Sequence, residues 1–210
     1  MRPKVSVVIP VWNQQELIVR ALESIPKRAD IQVIVINDAS TDDTCLSIAH
    51  FDLEHGYDFY EFLYLKNTEN RGVGYTINRG YDHAIGEYVV ALGSDDYFYS
   101  QEFEKIMEEL DGTDMVYFDL QINSGEIWSV TPETKINLCG STKFIRREFM
   151  ADTRCSEKRV AEDYDLYMAL LAKNPTEKFT NRVVKHYNFP REGSLTNLDI
   201  KEKRENQLKK

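Results

Sequence analysis

Apolar residues in the first half of the chain follow two alternating rhythms. Val5–Ile9 and Ile31–Ile36 are short, nearly continuous β-branched runs, the pattern of strands buried on both faces. Glu61–Leu65 and Glu87–Leu92 repeat it. Between them the apolar positions move to helical spacing. Leu17, Ile18, Ala21, Leu22 and Ile25 predict a helix over Gln14–Ile25, stopped by Pro26. Cys45, Leu46, Ile48 and Ala49 predict a second, capped by Ser40, Thr41 or Asp42. Ile77, Tyr81, Ala84 and Ile85 predict a third over Tyr75–Ile85, and Gln101–Leu110 is a fourth. Buried strands alternating with helices make an α/β sheet of parallel βαβ units, which takes ligands beyond the carboxyl ends of its strands. Asp38 follows the second strand, and Asp95 and Asp96 follow the fourth, so all three fall on one rim.

The second half has another texture. Asp114–Ile122 and Glu126–Val130 predict two strands joined by a turn at Asn123-Ser-Gly125. Ser141–Met150 and Ala161–Lys173 predict helices, and Lys178–Tyr187 a last strand. The end of the chain from Asp199 is almost wholly charged and reads as a solvated or frayed helix. With no repeat or linker, the expectation is one domain: 1–98 as one half, 99–198 as the other, and 199–210 as a charged tail.

Composition narrows the function. The chain has 210 residues, 42% of them hydrophobic, enough for one sizeable core. Its net charge of −9 without a basic stripe argues against nucleic acid as a partner and requires any anionic ligand to meet a local cation. Cys45, Cys139 and Cys155 are an odd number, widely spaced, and suggest neither a disulfide framework nor a zinc site. Reduced thiols, a short N-terminal apolar run and no apolar stretch near 18 residues lead to an expected cytoplasmic location without a transmembrane segment.

Asp95 and Asp96 pose the sharpest chemical question, because adjacent like charges repel. A hard divalent cation, Mg²⁺ or Mn²⁺, takes oxygen ligands and keeps phosphates in its shell, so the pair suits a metal-bound diphosphate. A polar turn capping the helix at Gln101 is the alternative. Asp38 is placed either to accept hydrogen bonds from a base or ribose, or to make the turn. Asp42 and Asp43 suit the first turn of their helix.

Several stretches together resemble glycosyltransferase family 2. VSVVIPVWNQQELIVRALESI is similar to its opening strand and helix, and VIVINDASTDDT to its second strand. ENRGVGYTINRGYDHAIGEYVVALGSDDYF resembles its central run of motifs, and EDYDLYMALL its later E-D motif. The likeness covers roughly Lys4 to Leu171, with a weaker echo in YNFPREGSLT. It implies a GT-A fold, with a Rossmann-like nucleotide-binding half, a mixed central sheet and a small acceptor-side half. It also implies sugar transfer from a nucleotide donor with inversion.

The resemblance carries over roles residue by residue. Pro10, Val11 and Trp12 match the segment along the uracil and ribose, and Trp12 stands where Tyr is more usual. Asp38 matches the base-reading aspartate. Arg71 falls where a basic or polar residue lies near the nucleotide, although a plain surface arginine is equally compatible. Asp96 matches the direct metal ligand and Asp95 the neighbour facing ribose or sugar. The family commonly reads D-x-D-D here, and Gly93 takes the place of the first carboxylate. In Glu162-Asp163, Asp163 matches the base, with a helix-capping carboxylate as the plainer role. Where the family often has a histidine, this chain has Arg191, suited to holding a diphosphate, and His186 lies five residues earlier. Pro190 to Ser194 reads as a loop that closes over the donor.

The expected function is therefore a metal-dependent inverting glycosyltransferase using a nucleotide sugar, a UDP-sugar, with Mn²⁺ or Mg²⁺. The acceptor would be a glycan, lipid-linked or protein hydroxyl, with a peripheral contact at the inner membrane face and a part in cell-surface polysaccharide biosynthesis. A nucleotidyltransferase would want a Gly- and Arg-containing loop after strand one, and a dinucleotide oxidoreductase a GxGxxG; Val11–Gln15 supplies neither. A nucleotide-sugar- or carbohydrate-binding protein of this fold, impaired in catalysis, is the competing reading.

Overall fold

The computed structural model describes residues 2–136, 141–157 and 162–191, with Glu162 described by its backbone alone. The Glu162 side chain, Cys139, residues 192–194 of the expected closing loop and the tail from 199 thus lie outside the described residues.

Elements follow in the order β1 (Val5–Val11), α1 (Ile18–Glu23), β2 (Ile31–Asn37), α2 (Thr44–His55), β3 (Glu61–Lys66), α3 (Val73–His83), β4 (Tyr88–Ala91) and β5 (Tyr97–Phe98). The chain continues through α4 (Ser100–Glu108), β6 (Met115–Ile122), β7 (Ile127–Trp128), β8 (Lys143–Arg146), α5 (Arg147–Met150), α6 (Glu162–Leu171) and β9 (Glu177–Tyr187). One mixed sheet runs β3-β2-β1-β4-β8-β6-β9-β5, with β7 paired to β6. β1 through β4 are parallel, as their uniform apolar character demands. β8 enters antiparallel between β4 and β6, and β9 returns parallel to β6.

The pleat divides the core. Val5, Val7, Ile9 and Val11 of β1 face α1, α2 and α4, which contribute Leu22, Phe51 and Phe103. Val8 points the other way, with Ile34 and Ile36 of β2, toward α3 and α6, which supply Ile77, Tyr81, Leu166 and Leu170. α3 lies directly on this face at Gly80, where a Cβ would fall 2.3 Å from a methyl of Val8.

Two expectations need correction. Ser141–Met150 is not a helix: 143–146 form β8, and only Arg147–Met150 turn helically. The gap between β4 and β6 needs a strand to satisfy their backbone groups, and buried Phe144 and Ile145 fit it. α1 begins at Ile18, four residues later than its apolar spacing suggests. The preceding backbone is committed elsewhere: Asn13 N–H donates to Ser40 Oγ, Gln14 N–H to Thr44 Oγ1 and Gln15 N–H to Asp42.

Candidate functional site

Because β1, β2 and β4 are parallel, their carboxyl ends share one rim, and polar side chains join the loops that leave it. The Asn13 Oδ1 accepts from Thr41 N–H at 2.8 Å, clasping the loop after β1 to the loop after β2. Asp38 is 3% exposed, and its N–H donates to the Val11 carbonyl. Its carboxylate receives Asn67 Nδ2 at 2.7 Å, Arg71 N–H at 2.9 Å and Gly72 N–H at 2.8 Å. Asp38 thus closes the turn into α3, where Gly72 has a φ of 84° that favours glycine. Three of about four lone-pair directions are filled.

Asp95 and Asp96 sit in the turn after β4, closed by Asp96 N–H to the Gly93 carbonyl. Neither caps α4, whose N-cap position is Tyr99 with no side-chain cap. Asp95 is bracketed by two arginines: Arg191 Nε reaches its Oδ2 at 2.8 Å, and Arg20 of α1 reaches its carbonyl at 2.6 Å. Asp96 is sealed inside at 3% exposure. Its Oδ1 accepts Asn188 N–H at 2.9 Å, and its Oδ2 faces the Lys185 ammonium at 3.3 Å. Burial pushes the Asp96 carboxyl above the ordinary carboxylate range; Lys185 pulls it down, and Asp95 adds to the rise. Gly93 lies tight against the pair, since a Cβ there would be 3.0 Å from Asp96 Oδ2 and 3.1 Å from Asp95 Oδ1.

That geometry tests the divalent ion implied by the resemblance. A hard cation beside a diphosphate is usually held by one or two open carboxylates together with the phosphates. Here one Asp96 oxygen carries a backbone N–H and the other an ammonium, while Asp95 holds a guanidinium. Among the described residues no group of three or more His, Cys, Asp or Glu side chains is placed to hold a metal. This donor set does not fit a divalent cation.

The remaining candidates divide. Pro10 and Val11 end β1 beside Asp38, with Val11 buried. Trp12 is 52% exposed at the same rim, so core packing does not explain it. Arg71 is exposed, its guanidinium 4.1 Å from the Tyr75 ring centroid and 3.9 Å from Glu157. Asp163 occupies the second position of α6, half-buried, with no hydrogen-bond or ion-pair partner among the described residues. His186 is a packed ring, stacked on Tyr97 at 4.6 Å, and burial, then Arg20, lowers its pKa. Lys185, Asn188, Arg20 and Asn67 were not anticipated. Lys185 carries no clear signal in the sequence, because β9 reads EKFTNRVVKHY and its other lysine and its arginine are not buried. Asn188, Arg20 and Asn67 are joined to the site only by tertiary geometry.

Comparison with known proteins decides the family. The family model described as Glycosyl transferase family 2 matches residues 6–180. The chain belongs to glycosyl transferase family 2. It is 31% identical over 109 residues, 51% of its length and 34% of the relative's, to the GalNAc(5)-diNAcBac-PP-undecaprenol beta-1,3-glucosyltransferase of Campylobacter jejuni. It is 28% identical over 157 residues, 69% of its length and 60% of the relative's, to the PGL/p-HBAD biosynthesis glycosyltransferase of Mycobacterium bovis. It therefore spans less than two thirds of each of these curated relatives. In structure it resembles S. aureus TarS 1-349 in complex with UDP-GlcNAc, with a TM-score of 0.79 and 21% identity, covering 92% of this chain and 60% of that one. It also resembles the mannosyltransferase PcManGT of Pyrobaculum calidifontis in complex with GDP-Man and Mn²⁺, with a TM-score of 0.71 and 21% identity, covering 92% and 59%. The fold of this family 2 chain is accordingly GT-A. No helix among its described residues is long and apolar enough to cross a membrane.

Proposed function

We propose that this chain is the donor-binding and catalytic domain of an inverting glycosyltransferase that moves a sugar from a UDP-sugar to a hydroxyl of a glycan, lipid-linked or protein acceptor. The observation that carries the proposal is the meeting of Asp38 and the Asp95–Asp96 turn on one sheet rim within a family 2 fold. TarS and PcManGT, named in complex with UDP-GlcNAc and GDP-Man, support a nucleotide-sugar donor by likeness.

In this reading the base and ribose lie along Pro10, Val11 and Trp12, with the exposed indole as a stacking surface. The open lone pair of Asp38 reads the base. Asp95, steered by Arg191, faces the ribose or sugar. Asp96 fixes the turn. Arg191, Arg20 and Arg71 supply positive charge to a diphosphate on a chain whose net charge is −9. In the transfer, the acceptor oxygen forms its bond to the anomeric carbon as the bond to the phosphate oxygen breaks. The acceptor proton passes to Asp163, and the nucleoside diphosphate leaves with the bonding pair. Asp163 suits this task because no cation holds its carboxylate among the described residues. The residues do not fit a divalent metal, and the charge at Asp96 is balanced by Lys185. Residues 1–98 would hold the donor and residues 99–198 the acceptor. The proposed setting is the cytoplasm, with peripheral membrane contact where the acceptor is lipid-linked.

Calorimetry with UDP, paired with hydrolysis across a panel of nucleotide sugars, tests the reading. Binding of UDP with turnover of a UDP-sugar is the expected result; absence of both overturns it. Glycine in place of the first carboxylate favours a second reading, a nucleotide-sugar-binding protein without catalysis, which predicts binding without turnover.

A further inference from the structure

We propose that the cation belonging to the Asp95–Asp96 turn is built into the chain as the Lys185 ammonium, so that donor binding is independent of divalent metal. The nucleotide part of this proposal rests on the donor-site reading above; the ion part does not.

The pairing is held by backbone. β5 begins at Tyr97, the residue after Asp96, and pairs antiparallel with β9 in a register that sets Tyr97 opposite His186 and Phe98 opposite Lys185. The main-chain N–H of Asn188, three residues past Lys185, donates to Asp96 Oδ1. Asp96, at the residue before β5, and Lys185, within β9, are therefore held together by two hydrogen-bonded strands, with side chains only 4% and 3% exposed. Lys185 is provided for in other directions. It donates to Ser141 Oγ at 2.5 Å, and its ammonium lies 5.3 Å from the Tyr187 ring centroid. A long polar side chain so thoroughly accommodated is a permanent occupant of its place.

Charge bookkeeping gives the same result. Asp95 is matched by Arg191 and Asp96 by Lys185, one cation to each carboxylate. A divalent ion at Asp96 would meet a neutralised pair with an ammonium already on the oxygen it needs, and like charges repel. Gly93 fits this arrangement. A third carboxylate there would be crowded by the two aspartates and would unbalance the charges that the fixed cations match.

The test measures UDP affinity by calorimetry in EDTA and in MnCl₂, and Mn²⁺ binding without nucleotide by the loss of free-ion paramagnetic resonance signal. The native protein is expected to bind UDP with less than about a twofold difference between the two conditions and to leave the Mn²⁺ signal unchanged. Lys185→Met is expected to lose about tenfold or more of its UDP affinity in EDTA, to regain it in MnCl₂, and to bind Mn²⁺ alone. Adding Asp96→Asn to that variant should abolish the gained Mn²⁺ binding, which locates it. A native protein that loses about tenfold or more of its UDP affinity in EDTA, or binds one Mn²⁺ ion without nucleotide, overturns the proposal. If UDP binds under neither condition, the donor reading fails, and the Mn²⁺ titration of the native protein still decides the question of Lys185. Both deciding measurements use the native chain, so misfolding of a variant does not obscure them.

Discussion

Lys185 Nζ and Asp96 Oδ2 lie 3.3 Å apart, with both side chains nearly sealed from solvent. Two consequences follow for stability. Removing one partner of a buried pair leaves an uncompensated charge, which costs about 3–5 kcal/mol. Lys185→Ala should therefore lower the unfolding free energy, read from urea curves, by a margin of that order. Lys105→Ala, which removes the exposed partner of Glu102, should cost no more than about 1 kcal/mol. Equal losses in the two variants would show that Lys185 is not a buried counter-ion.

Asp38→Asn tests the turn into α3. An amide presents an N–H₂ group where the carboxylate accepts from Arg71 N–H and Gly72 N–H, so at least one part-buried donor loses its partner. The expected loss is about 1–3 kcal/mol by denaturant unfolding, with weaker UDP binding by calorimetry. Unfolding unchanged alongside weakened binding would assign Asp38 to the ligand alone; the reverse would assign it to the turn alone.

Restoring the family's first carboxylate should harm this chain. The Cβ of Gly93→Ala would press on Asp96, whose carboxylate cannot retreat because Asn188 and Lys185 hold it. Crowding of this kind costs about 1–3 kcal/mol. Gly93→Asp should cost more, because it adds a third negative charge. Melting temperatures in the order native, Gly93→Ala, Gly93→Asp are the predicted outcome, and a Gly93→Asp variant as stable as the native chain would oppose it.

Asp114 gives the fold an acid-sensitive anchor. Burial pushes its carboxyl up, but hydrogen bonds from Thr176 and the Arg146 guanidinium outweigh it and hold the pKa below the ordinary value. A depressed folded pKa contributes stability that is present above the unfolded value of about 3.9 and is lost as pH falls through the folded value. The stability difference between the native protein and Asp114→Asn should therefore be full near pH ~6 and shrink below pH ~4, as read from urea curves across pH. A difference that stays constant over that range would rule this out.

Much of this architecture is legible in the pattern because β1, β2 and β4 are buried almost throughout and carry little else. Their runs Val5–Ile9 and Ile31–Ile36 leave no other period to read, and the rim position of Asp38 and Asp96 follows directly. β8 escapes such reading because its four residues are defined by the partners on either side, β4 and β6, both distant in sequence. The start of α1 is similarly decided by the loop 27–30 residues away that captures the backbone of Asn13, Gln14 and Gln15. The aspartates could be picked out as residues of interest, but their partners could not. Lys185 meets Asp96 only because β9 returns beside β5, and Arg20 meets Asp95 across 75 residues of chain.

The central claim is that this chain transfers sugar from a UDP-sugar with Asp163 as the base. Donor hydrolysis and transfer across a panel of nucleotide sugars, run on the native protein and Asp163→Asn, tests it most directly. The prediction is turnover of a UDP-sugar by the native chain, lowered by about 10²–10⁴ in Asp163→Asn, with UDP affinity unchanged. Native turnover that survives in Asp163→Asn would contradict the assignment of the base, and UDP binding with no turnover of any sugar would contradict the claim of catalysis.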